Sequence, residues 1–133
     1  MSFPEKFLDL FKPETIAYLY LATIMPDGSP QVTPVWFDTE GEYIRINTNE
    51  GRTKDRNMRA RKQVAFLITD PQDPFGRYIQ IRGTVVEVTE EGAKAHIDKL
   101  AKKYTGVDSY KLRSADEVRV IYKIAIDRAQ TMG

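Results

Sequence analysis

The chain has 133 residues, a length that one hydrophobic core serves, and its 41% hydrophobic and 29% charged residues describe a folded soluble domain rather than a disordered tail. Twenty Lys and Arg against nineteen Asp and Glu leave a net charge of +1, which gives no overall reason to expect a polyanionic partner. The lack of cysteine and the single histidine, His96, exclude disulfides, thiolate nucleophiles, iron–sulfur clusters and multi-histidine metal sites, so redox chemistry would need a borrowed cofactor.

The segment 5–17 places Phe7, Leu8, Leu10 and Phe11 on a helical stripe that Pro13 interrupts, which predicts a short helix and one further turn. Glu5, Lys6 and Asp9 within this start are wrong for a signal peptide, and no run approaches the roughly 20 apolar residues of a membrane span. The expected address is the cytoplasm, without a membrane partner.

From Tyr18 to Ile24 the run is aromatic and β-branched, and Met25 to Ser29, with its Asp-Gly pair, is a hairpin turn. The next strand, QVTPVWFD, returns antiparallel, with Pro34 marking an edge or a bulge. Glu40 to Glu42 turns into YIRINTN, where Ile44, Ile46 and Thr48 face one way and Arg45 and Asn47 the other. Residues 51–62 lose this alternation and fit a short helix beginning near Thr53, whose hydroxyl is a candidate cap. Val64 to Thr69, apolar on both faces, reads as a central strand. After the turn-rich Asp70 to Gly76, the strand RYIQIRGTVVEV carries Ile79, Ile81 and Gly83 inward and then shifts phase to Val86 and Val88, which predicts a bulge near Gly83 or Val85. Thr89 to Gly92 opens the longest helix, with Ala93, Ile97, Leu100, Ala101 and Tyr104 on its dry face and His96 at the boundary. Residues 105–114 form a polar connection. Val118, Val120, Tyr122, Ile124 and Ile126 then make the clearest alternation in the chain. Six strands joined mainly by hairpins predict a mainly β fold over residues 1–133, a single antiparallel β-barrel domain with flanking helices.

The local chemistry concentrates in residues 51–62, where six cations against the single Asp55 give +5 and leave the remainder of the chain at −4. Gly51 at a turn, the guanidinium of Arg52, the ammonium of Lys54 and the free N–H groups of a helix start are parts that suit a phosphate. The competing reading is a solvated basic face stitched by Asp55 and Arg59. Asn47 and Thr48 end the strand that enters this corner, where their polar groups could bond a phosphate or polyol or simply cap the strand. Val32, Thr33, Pro34, Val35 and Trp36 form a strand in which Pro34 can leave backbone groups free for the edge of a planar heteroaromatic ring. Trp36 also reads as core or interface filling. No Walker or GxGxxG loop is present, and a basic helix without aromatics is a poor platform for single-stranded nucleic acid. The two carboxylates of DPQDP need no calcium to explain them.

Together, ATIMPDGSPQVTPVWF, INTNEGRTKDRNMR, VAFLITDP, YIQIRGTVVEV and HIDKLAKKY resemble the pyridoxamine 5'-phosphate oxidase-like split-barrel flavoproteins from about Ala17 to Asp127. The spacing GRxKxxN after NT is similar to that of the flavin/deazaflavin oxidoreductase branch that uses coenzyme F420. This resemblance implies a six-stranded FMN-binding split barrel, homodimeric, with the cofactor between the subunits. It assigns Arg52 and Lys54 to the phosphate, Asn47 and Thr48 to phosphate and polyol, Gly51 and Asn57 to the corner, and Val32 to Trp36 to the ring edge. Gln80 and Tyr78 would approach from the partner subunit. It implies hydride transfer between F420, or alternatively FMN, and a small organic molecule, with no catalytic side chain and no metal. A non-catalytic module that binds flavin or haem is the remaining alternative. The chain lacks the long C-terminal segment of pyridoxamine phosphate oxidases themselves, which argues against that vitamin as substrate.

Overall fold

The structure, a computed structural model, describes residues 2–133. The chain opens with a 3₁₀ helix over Glu5–Phe11 that buries Phe7, Leu10 and Phe11, and Leu8 of the expected stripe points outward. Seven antiparallel strands follow, β1 (Tyr18–Ile24), β2 (Pro30–Val35), β3 (Phe37–Glu40), β4 (Tyr43–Asn49), β5 (Gln63–Thr69), β6 (Tyr78–Thr89) and β7 (Arg119–Met132), with helices α1 (Thr53–Ala60) and α2 (Ala93–Thr105) between them. They form one curled sheet in the order β2-β1-β5-β6-β7-β4-β3, a split barrel.

The count of seven corrects the expected six, and the reason lies at one residue. The segment QVTPVWFD is not one strand: it pairs with β1 as far as Val35, opposite Leu19, and joins β4 at Phe37, opposite Ile46. Only Trp36 lies between, so the two ends of the sheet are continuous along the chain while their outer edges are unpaired among the described residues. Pro34 falls on the edge strand β2, where a missing N–H donor costs no ladder bond.

The first hairpin is closed by Met25 N–H donating to the Ser29 carbonyl at 2.8 Å and by Ser29 N–H donating to Asp27 Oδ1 at 3.0 Å. The β6/β7 pair carries two bulges rather than one. Asp127 is the extra residue on β7, between the pairs Arg82/Arg128 and Gly83/Ile126, and Val86 is the extra residue on β6, between Val85/Ile124 and Glu87/Lys123. The phase change therefore falls at Val86, which is exposed, while Val85 is buried. Gly83 sits so close to β7 that an added Cβ would lie 2.6 Å from the Ala125 carbonyl oxygen.

Leu19, Leu21, Phe37, Ile44, Ile46, Ile68, Ile79, Ile81, Tyr122 and Ile124 fill the barrel. Helix α2 lies against β7 and β4 through Ala93, Ile97, Leu100 and Ala101, and it also buries His96, which the helical pattern put at the boundary. Among the described residues no helix is long and apolar enough to cross a membrane.

Candidate functional site

Helix α1 is fixed to the barrel by its own polar residues. The Asn57 amide donates to Thr23 Oγ1 at 3.0 Å and to the Met25 sulfur at 3.2 Å, and Arg61 Nε donates to the Ile24 carbonyl at 2.7 Å. Asp55 is 2% exposed and accepts from Tyr122 OH at 2.5 Å, Arg59 Nε at 2.9 Å and Gly51 N–H at 2.8 Å. Burial would raise its carboxyl, but these donors outweigh burial and hold it below the usual carboxylate range. Thr53 does not cap the helix: Arg52 occupies the cap position with no side-chain bond, and the N–H of Gly51 is spent on Asp55. The turn at Gly51 has φ of 92°, open only to glycine without strain. This turn aims Arg52 and Lys54 away from the clamped carboxylate.

The result is a pocket of about 440 Å³ at the break between β2 and β3, within the roughly 300–1,000 Å³ typical of small-molecule sites. Pro34, Val35 and Trp36 form one wall, Asn47 and Thr48 the floor, and Arg52 and Lys54 one end. Arg119, from the start of β7, and Arg113, from the connection after α2, bring its cations to four, and no carboxylate lines it.

Lys54 is half-buried and has no carboxylate within ion-pair distance among the described residues; burial, and then the charges of Arg52 and Arg119, pull its ammonium below the usual lysine range. Arg119 is anchored by Glu117 at 2.6 Å and stacks over Tyr110, 4.9 Å from the ring centroid. Thr48 is 2% exposed, and its Oγ1 has no hydrogen-bond partner in the protein. A buried hydroxyl without a partner beside Arg52 and Lys54, neither of which has an ion-pair partner among the described residues, is the donor set an oxyanion completes, so the residues present fit a cofactor phosphate.

The wall above has different chemistry. Trp36 stacks on Tyr104 of α2 with centroids 5.5 Å apart and planes 5° from parallel, and Tyr104 OH donates to the Ala17 carbonyl at 2.6 Å. Burial pushes the Tyr104 phenol up to about 12, so it stays a neutral donor. One edge of the β2 backbone, unpaired beside Trp36, offers the in-plane donors and acceptors a heteroaromatic ring needs.

Seven of the thirteen candidate residues therefore converge: Pro34, Val35, Trp36, Asn47, Thr48, Arg52 and Lys54. Gly51 and Asn57 shape the corner from behind it. Thr33 is half-buried on β2, its hydroxyl also without a partner. Val32 and Gln80 lie instead in a groove of about 530 Å³ on the outer sheet face, with Tyr20, Leu67 and Arg128. Tyr78 is half-buried at the start of β6, between Thr69 and Met132.

Sequence reasoning missed Tyr18, Ile97, Leu100, Tyr110, Arg113 and Arg119. For Arg119 a signal existed: with Lys123 it is one of two cations on the face opposite the apolar residues of an alternating strand. Tyr110 and Arg113 sit in a connection without periodicity and carried none.

The chain matches the family described as pyridoxamine 5'-phosphate oxidase over residues 3–133. Among solved structures it is similar to an F420 reductase, with 34% identity, 96% of this chain and 98% of that chain covered, and a TM-score of 0.82. A conserved hypothetical protein from Mycobacterium tuberculosis shares 23% identity over 99% of this chain and 86% of that one, with a TM-score of 0.70. A protein described as a pyridoxamine 5'-phosphate oxidase from Listeria innocua shares 17% identity over 96% and 95% of the two chains, also at 0.70. No curated protein matches the chain.

Proposed function

Because the chain belongs to the pyridoxamine 5'-phosphate oxidase family, whose members have a flavin-type oxidoreductase fold, we propose that it is an F420-dependent oxidoreductase. Its reaction passes a hydride between the deazaflavin and a small organic acceptor with an activated double bond. Bound in the pocket, the cofactor would supply the two-electron chemistry that this chain's side chains lack. The observation that carries the reading is Lys54, half-buried between Arg52 and Arg119 with no carboxylate to neutralise it among the described residues. Such a cluster is relieved by an anion.

In this reading Arg52, Lys54 and the Thr48 hydroxyl bind the phosphate, while the open backbone edge of Pro34, Val35 and Trp36 orients the ring. Trp36, Ile97 and Leu100 exclude water from the reacting face, which suits a hydride step that needs orientation more than a proton donor. Two observations favour F420 over FMN. Arg113 adds a cation for an acidic extension beyond the phosphate, and the F420 reductase covers nearly the whole chain at 34% identity. FMN is the second reading, because it presents its phosphate to the same corner and the family is described by a flavin-type oxidase.

The proposal includes a cytoplasmic homodimer. The open groove around Tyr20, Val32 and Gln80 on the outer sheet face supports a partner copy, to which Gln80 and Tyr78 would contribute. Titration of the purified protein with F420 and with FMN, followed by fluorescence quenching, tests the cofactor assignment. F420 is expected to bind more tightly, tighter FMN binding selects the second reading, and indifference to both refutes the enzyme. Sedimentation velocity tests the dimer, which a monomer at micromolar concentration refutes.

A further inference from the structure

The pocket floor is backed by a buried relay whose hydrogen-bond directions are fully determined. Asn47 is 9% exposed; its Nδ2 donates to the Ala93 carbonyl at 2.9 Å and faces His96 Nδ1 at 3.1 Å, while its Oδ1 accepts from Arg119 Nε at 2.9 Å. A carbonyl only accepts and a guanidinium N–H only donates, so these two partners fix the orientation of the amide. His96 Nδ1 consequently meets an N–H donor and must present a lone pair. The ring proton then sits on Nε2, 3.0 Å from Asp38 Oδ1. Arg45 holds the same carboxylate through Nε at 3.0 Å and Nη2 at 2.7 Å, and Lys99 Nζ lies 3.7 Å from it. His96 is thus surrounded by Asp38 on β3, Arg45 and Asn47 on β4, Lys99 on its own helix and, through Asn47, Arg119 on β7.

We propose that His96 is a positioning residue of the anion pocket: as a neutral imidazole protonated on Nε2, it holds the Asn47 amide so that Arg119 is aimed into the site. A second proton on Nδ1 would set N–H against N–H. Turning the amide to relieve that contact would place Nδ2 against Arg119 Nε–H and Oδ1 against the Ala93 carbonyl. Protonation of Nδ1 at the contact between α2 and β4 is therefore coupled to the aim of a pocket cation. The ligand side of this inference rests on the proposed cofactor function; the relay itself belongs to the free protein.

Because His96 is the only histidine, its ring nitrogens give a single set of signals in a long-range proton–nitrogen NMR correlation. The neutral ring is expected as the Nε2-protonated tautomer, and the Nδ1-protonated tautomer overturns the proposal. H96N keeps an acceptor in the place of Nδ1, whereas H96L fills the same space without one. H96L is expected to weaken F420 or FMN binding about tenfold and H96N by no more than about threefold. Equal affinity of H96L and wild type overturns the proposal. Should neither cofactor bind the wild type, the functional reading fails alone. The tautomer, and protection of Arg119 Nε–H from exchange in wild type and H96N but not in H96L, still decide the relay.

Discussion

The Thr48 hydroxyl separates a ligand-binding group from a structural one by the sign of a single substitution. In the free protein its Oγ1 is buried with no partner, and leaving such a hydroxyl unpaired costs about 1–3 kcal/mol. Thr48→Val keeps the β-branched shape that suits β4 opposite Val120 and removes only the polar atom. The free protein should therefore gain about 1 kcal/mol, which raises the melting temperature by about 3–5 °C for a chain of this size. In the proposed function the same change deletes a donor to the cofactor phosphate and should weaken binding about tenfold, or about 1.4 kcal/mol. Urea denaturation at one fixed protein concentration, with an unchanged m-value, gives the first quantity, and fluorescence titration with F420 and FMN gives the second. A variant that melts lower and binds as before would refute the reasoning, because the hydroxyl would then be serving the fold and not the ligand.

Cofactor affinity should fall on the alkaline side as Lys54 loses its proton, with a midpoint below the ordinary lysine value of 10.5, since its free-state ammonium is depressed and an anion restores it. Lys54→Met should remove that limb from a binding-versus-pH curve and weaken neutral-pH affinity at least tenfold. Asp38 is pushed up by burial but held at about 2, against 3.8 unperturbed, by hydrogen bonds from His96 and Arg45. Its contribution of about 2 kcal/mol is present above pH 3.8 and lost as pH falls through 2, so the stability gap between wild type and Asp38→Asn should close in acid. Urea midpoints at stepwise lower pH check this. Gly83→Ala must push its Cβ into backbone on β7 and should cost about 2 kcal/mol in the same assay; a neutral result would mean that the bulged pair yields easily.

What could be read before the structure follows from where periodicity is strong. The alternation from Val120 to Ile126 and the Asp-Gly hairpin are local signals, and each became the element it predicted. The basic stretch around Arg52 and Lys54 was legible because six cations in twelve residues stand out in a nearly neutral chain. The break at Trp36 was not, because the apolar run Val35, Trp36 and Phe37 carries no turn residue and reads as one continuous strand; the chain changes partner strands there through the curl of the whole sheet, which no local pattern encodes. His96 was read as a boundary residue because helical spacing sets a direction and not what stands opposite. Its burial is decided by Asp38 and Asn47, dozens of residues away.

The passage from β2 to β3 through one residue carries a thermodynamic consequence. A molecule lodged at that gap would touch β2, the first member of the sheet order, and β4, the last but one, so it would act as a cross-link between strands that the backbone ladder leaves apart. Occupancy then resists opening of the ring: at about a hundred times the dissociation constant, ligand adds roughly 2.7 kcal/mol against unfolding. That protection would concentrate in amides of β2, β4 and the start of β7.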